Sequence, residues 1–234
     1  MQPEVQPTGS YRPVTIEQFS PTQQRVLRNT YLLLALSLIP TAIGALVSTQ
    51  INFGFILASP AISSIGFLVI AYGLMFAIQA NRNSGLGVAL LLAFTLFMGV
   101  ALGPLLQWII GFRNGPILIT MAAGGTATIF FVMAGIATTT KRDLSSLGKF
   151  LAVGGIVLIL AVVGNIFFQN MVANLTIVSL FVLFSTLVIL WQINAIVRGG
   201  ENNYISATLV LYVQIYNLFT SLLQLLGIFG GQRN

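Results

Sequence analysis

The chain has 234 residues, of which 56% are hydrophobic and 6% charged, with a mean hydropathy of +0.95, far from the roughly one-quarter charged fraction of a soluble domain. That composition excludes a water-soluble globule and specifies an integral membrane protein. The net charge of +6 does not indicate nucleic acid, because the basic residues stand singly along connections without interleaved aromatics, and cysteine and histidine are both absent, which removes disulfides, the commonest proton relay and the commonest metal ligand.

Residues 1–29 are polar and carry Pro3, Pro7, Pro13 and Pro21. They read as a flexible cytoplasmic tail and not as a signal peptide. Arg25 and Arg28 precede the first apolar run, 30–48, as basic residues do at a cytoplasmic helix start. No further charge occurs until Arg82, a distance that needs two spans, since crossing a hydrocarbon core of about 30 Å takes about 20 helical residues. Gln50, Asn52, Gly54 and Pro60 mark the break, the second span covers 61–79, and residues 81–85 make a turn.

The third span, 86–106, holds Gly99 and Gly103 in a G-x-x-x-G spacing, which places two small residues on one face and points to close helix packing. Pro104 is expected to kink its exit. The fourth span, 117–138, closes at Lys141, Arg142 and Asp143, and the fifth, 150–168, contains Asn165, an amide expected to tie a neighbouring helix. Gln169 and Asn170 form the next turn. The sixth span covers 176–197 and the seventh 204–229, so residues 30–230 form one transmembrane domain followed by a short tail, 231–234. These continuously apolar runs specify an all-α protein of seven transmembrane helices and not a barrel. The tail and the even-numbered connections carry Arg12, Arg25, Arg28, Arg82, Lys141, Arg142, Lys149 and Arg198, against Arg113 and Arg233 on the opposite side. The bias places the amino terminus in the cytoplasm and the carboxyl terminus outside.

The densest polar group within apolar helices lies in residues 191–224. Gln192 and Asn194 stand near the end of the sixth span, and Gln214 and Asn217, three apart and so on one face, stand inside the seventh. At 1.5 Å per residue Gln192 and Gln214 are roughly 9 and 15 Å from the intervening connection, so antiparallel neighbours can bring them together. Two readings stay open: amides that join the two helices, or a variant of a titratable gate. Catalysis lacks its parts. A serine nucleophile has no histidine base, Lys141 and Lys149 lie at a connection and a helix start, and Glu4, Glu17, Asp143 and Glu201 are far apart with none in a span. No catalytic residue, metal or cofactor is expected.

Six stretches carry a resemblance: 25–35 (R-V-L-R-N-T-Y-L-L-L-A), 71–76 (A-Y-G-L-M-F), 124–131 (G-G-T-A-T-I-F-F), 140–147 (T-K-R-D-L-S-S-L), 199–208 (G-G-E-N-N-Y-I-S-A-T) and 211–223 (L-Y-V-Q-I-Y-N-L-F-T-S-L-L). With them the chain resembles the Bax inhibitor-1 family, and within it the bacterial YccA-like branch. The resemblance implies six helices around a central seventh, a bacterial inner-membrane location with an external (periplasmic) carboxyl terminus, no known catalysis, and association with the membrane-bound AAA protease FtsH, engaged through the amino-terminal tail. Other members of the family resemble proton-sensitive calcium leak channels, in which an aspartate on the sixth helix pairs with one on the seventh. The matching positions here are Gln192 and Gln214. An amide does not titrate and offers a divalent cation no formal charge, and the arginine that meets this site in some members has no counterpart in the second span. A calcium leak is therefore the alternative to the protease-modulator reading.

Overall fold

The computed structural model describes residues 20–54 and 59–232. Every regular element among them is an α-helix: α1 (Pro21–Ser48), α2 (Pro60–Ala80), α3 (Gly85–Ala101), α4 (Gly103–Ile110), α5 (Gly115–Thr139), α6 (Ser145–Phe168), α7 (Met171–Val197) and α8 (Tyr204–Gly230). With α3 and α4 taken together, seven segments are long and apolar enough to cross a membrane. A helix satisfies its own backbone polar groups, which hydrocarbon cannot do for it. The protein is accordingly a multi-pass membrane protein, and the large apolar side chains on its surface, such as Leu46, Phe76, Phe131 and Phe168, face lipid.

Each expected span lies inside one of the seven segments, and the segments extend beyond the expected bounds, mostly at their starts. The first helix begins at Pro21, nine residues before the expected residue 30. Ser20 and Gln23 form a capping box, in which the Ser20 Oγ accepts from the Gln23 N–H and Gln23 Oε1 from the Ser20 N–H, and Pro21 occupies the first helical position, where its missing N–H costs nothing. Residues 21–29 therefore belong to the domain, and the rest of the expected tail, 1–19, lies outside the described residues. The fifth and sixth spans likewise begin at Ser145 and Met171, five residues early in each case, the latter capped by Asn170 Oδ1 on the Ala173 N–H. The third span runs on to Ile110 and breaks at Leu102, with Pro104 in the first turn of α4. The proline thus starts a second short helix within the span.

The seventh span, α8, is the central one. It packs against α1, α2, α3, α4, α5 and α7, while α6 completes the wall from outside by packing on α7 and α2. Its inner residues Leu209, Leu211, Tyr212 and Leu218 are fully buried with Leu91, Phe94, Ile189 and Ile193 in the main core. Both ends are tied. At one end Asn203 caps the helix, its Oδ1 accepting from the Ile205 and Ser206 N–H groups while its Nδ2 donates to the Arg82 carbonyl and Asn83 Oδ1. At the other, Asn114 Nδ2 donates to the Gly230 carbonyl, and Arg113 N–H and Gln232 N–H bond the Gln232 carbonyl and Asn114 Oδ1.

The G-x-x-x-G pair does pack closely, each glycine against a different neighbour. A Cβ on Gly99 would fall on the Thr41 backbone of α1, and one on Gly103 on the Phe53 ring and Ser48 Cβ; facing them, a Cβ on Gly44 would strike Leu96 and Val100. Backbone-to-backbone approach at this point seats Thr41 Oγ1 2.7 Å from the Tyr212 hydroxyl and 3.2 Å from the Thr95 carbonyl. Pro40 lies beside it inside α1 and lacks the N–H that would complete the helix ladder.

Candidate functional site

Three of the four polar residues singled out on the sixth and seventh spans are buried. Gln192, Asn194 and Gln214 are 2%, 1% and 8% exposed, and Asn217, one turn beyond Gln214, is half-buried. Gln192 stands between the fully buried Ile189 and Ile193, and Gln214 two residues past Tyr212, so both amides sit beside the main core. No hydrogen bond joins them. The Gln192 Nε2 donor and the Gln214 Oε1 acceptor are both without a partner, as are Ser185 Oγ and Thr30 Oγ1. A buried unpaired polar atom forfeits its solvation, at about 1–3 kcal/mol, so four of them within helices that touch one another (α1, α7 and α8) are an unusual concentration. Ser185 lies two turns from Gln192 on the same face of α7, and that seven-residue spacing is the one signal by which sequence reasoning could have found it. Thr30 carries no such signal.

The other amides have different partners from those the sequence suggested. Asn194 reaches out of the bundle core to the connection between α5 and α6: its Oδ1 accepts from the Leu144 N–H at 3.2 Å and its Nδ2 donates to the Arg142 carbonyl at 3.4 Å. Arg198 adds a hydrogen bond from Nη2 to the Lys141 carbonyl. Asn165 was expected to tie a neighbouring helix, but its Oδ1 accepts from the Asn170 N–H just beyond its own helix, because α6 ends within one turn and Gln169 turns back in a left-handed conformation (φ 48°). Amides nearer helix ends do tie elements together: Ser206 donates to Gln79 Oε1 at 2.7 Å, and Gln107 Nε2 donates to the Ser48 and Ile51 carbonyls at 3.0 and 2.8 Å, closing the end of α1.

Replacing Asn194 by leucine should release the α5–α6 connection without opening the bundle. The expected result is faster amide deuterium exchange across 140–145 and a stability loss of about 0.6–2 kcal/mol, the usual worth of such a membrane-protein hydrogen bond. Unchanged exchange there would show that Arg198 alone holds the connection.

What the site can do chemically is limited by its neutrality. Among the described residues no group of three or more His, Cys, Asp or Glu is placed to hold a metal ion, and no acidic side chain lies in a span. Asp143, in the connection, accepts from the Ser145 hydroxyl at 2.7 Å and its N–H at 2.9 Å; these bonds, helped by Arg198, hold its carboxyl below its ordinary value. A lowered carboxylate stabilises the fold above its unfolded value, about 3.9, and the contribution disappears on acidification below that. It leaves the interval from pH 5 to 8 flat.

The family model described as inhibitor of apoptosis-promoting Bax1 matches residues 23–231. The chain is 43% identical over 203 residues to the Modulator of FtsH protease YccA of Escherichia coli K12, covering 87% of this chain and 90% of that protein. It is 46% identical over 206 residues to a protein of Pseudomonas aeruginosa (88% and 90% covered) and 41% over 208 residues to one of Neisseria meningitidis serogroup B (88% and 91%). With the central seventh helix, the match over nearly the whole bundle and these relatives taken together, the chain belongs to the Bax inhibitor-1 family.

Proposed function

We propose that this protein binds and modulates a membrane-bound AAA protease of the FtsH type in a bacterial inner membrane, with its amino terminus in the cytoplasm, its carboxyl terminus outside and no catalysis of its own. The observation that carries the reading is the 43% identity, over 87% of the chain, to a relative whose name is modulator of that protease. The neutral site favours it over a cation leak, since Gln192 and Gln214 offer a cation no formal charge. The test is affinity purification of the tagged protein from its native membrane in mild detergent. The protease should come with it, and its absence from an intact, monodisperse preparation would overturn the reading.

The start of α1 says where a tail experiment should cut. Deleting 1–19 spares the Ser20–Gln23 capping box and should lengthen the protein's half-life several-fold after translation is arrested, in cells with the protease and not in cells without it. Equal turnover in both strains would count against the tail as the point of engagement. Orientation can be read in the same cells, because the chain has no cysteine of its own. Gln232→Cys should react with an impermeant maleimide from outside, and Ser146→Cys only after the membrane is opened.

A further inference from the structure

Between α1 and α5 the wall of the bundle is open. Nowhere do the Cα atoms of these two helices come within 8 Å of each other, although both pack on α8. The gap is a cleft of about 790 Å³ whose walls run from Leu27 to Leu38 on α1 and from Ala123 to Thr138 on α5, with Ile215 and Phe219 of α8 as its floor. Tyr31 and Phe130 meet edge-on across it, 6.0 Å between ring centres. Its lining is almost wholly apolar, and Ala123 and Ala127 stand exposed on its α5 wall. The cleft faces sideways, into the hydrocarbon.

The cleft is long and apolar: fifteen residues of helical rise separate Ala123 from Thr138, about 22 Å, a length along which a hydrocarbon chain can lie. Its mouth points to the kind of lipid. Leu27 and Thr138 line the end at which α1 begins and α5 closes, and exposed cations adjoin them in the chain: Arg28 directly after Leu27, and, in the connection past α5, Lys141 and Arg142 three and four residues after Thr138. Basic residues flanking a gap between transmembrane helices are the arrangement that receives an anionic headgroup.

We propose that this cleft holds one acyl chain of an anionic phospholipid from the basic side of the membrane, with the lipid phosphate among Arg28, Lys141 and Arg142. The lipid then fills the seam between the first and fourth spans, which the Tyr31–Phe130 contact bridges at one level only, and it is independent of any protease partner. The purified protein should be equilibrated with vesicles of equal phosphatidylglycerol and phosphatidylcholine, returned to mild detergent and weighed intact by native mass spectrometry. One phosphatidylglycerol per chain should be retained, at least five-fold over phosphatidylcholine. Ala127→Phe should lower retention at least ten-fold. Should that variant fail to fold, Gly135→Leu fills the same cleft, since a Cβ at Gly135 meets nothing within 4 Å. The triple change Arg28→Gln, Lys141→Gln, Arg142→Gln should keep a lipid bound and abolish the preference between headgroups. Equal retention of the two lipids by the unaltered protein would overturn the proposal, as would unchanged retention in the folded cleft-filling variant, or a peptide or second copy of the chain in the lipid's place.

Discussion

Gly99→Val is expected to be the most damaging single substitution in the bundle. A new Cβ at this position meets the Thr41 carbonyl carbon and Cα at 2.9 Å and the Thr41 oxygen closer still. These are backbone atoms, so no rotamer change relieves the contact and α1 must move away from α3. Overpacking usually costs about 1–3 kcal/mol. Here the displacement also separates Thr41 from the Tyr212 hydroxyl and the Thr95 carbonyl, so the loss should exceed about 3 kcal/mol. At about 2–4 °C per kcal/mol for a chain of this size, the midpoint of thermal unfolding in detergent should fall by roughly 10 °C. Gly73→Val is the control, because a Cβ there meets nothing within 4 Å, and it should shift the midpoint little. Equal midpoints for the two variants would mean that the first and third spans are not in backbone contact in solution.

Gln192→Leu and Gln214→Leu should act in the opposite direction and stabilise the protein. Substituting a buried amide by an apolar side chain of similar length normally breaks a hydrogen bond, but the Gln192 Nε2 and Gln214 Oε1 atoms have none to break. Each replacement instead removes an unpaired polar atom from an apolar interior, where such an atom costs about 1–3 kcal/mol. We expect a gain of about 1–2 kcal/mol for each, and additive behaviour in the double variant, because residues without a shared bond do not couple strongly. Melting curves of the four proteins at pH 5 and pH 8 check both points. Destabilisation by either single change would show that amide to be hydrogen-bonded in the membrane, and strong non-additivity would show the two amides coupled to each other. A marked difference between the two pH values would point to a titrating group at the site, which has no carboxylate and no histidine.

Most of this bundle is legible without coordinates because charge is so scarce. Arg82, Arg113, the 141–143 cluster and Arg198 divide the chain at the connections, and the hydrocarbon thickness does the rest. What hydropathy misses is the polar turn that opens a helix. Pro21–Ser48 starts on Thr22, Gln23 and Gln24, and Ser145–Phe168 on two serines with Lys149 just behind, so an apolar window begins counting too late. A capping residue locates the first of these starts, Ser20, and that of Met171–Val197, Asn170, while the start at Ser145 has no side-chain cap. The amides were visible as residues and not as partners. Asn165 and Asn194 look alike in a string, yet one closes its own helix and the other holds a connection from a different span, and that difference comes from where the chain turns. The close approach at Gly99 was implied by its spacing, but its neighbour on α1 was not. The unpaired state of Gln192 and Gln214 is a property of the packed core, with no local signature at all.

Among the described helices the one that comes last in chain order, Tyr204–Gly230, is the one on which the others are assembled. Until Tyr204–Gly230 has been made, Ile189, Ile193, Leu91 and Phe94 have no central helix to pack against, and Asn114 has no Gly230 carbonyl to hold. At about 5–20 residues per second the interval is a few seconds, during which six inserted helices wait around an unfilled axis. Closure of the bundle therefore cannot precede synthesis of residues 204–230, and a chain arrested before residue 204 should persist only as an open, degradable intermediate.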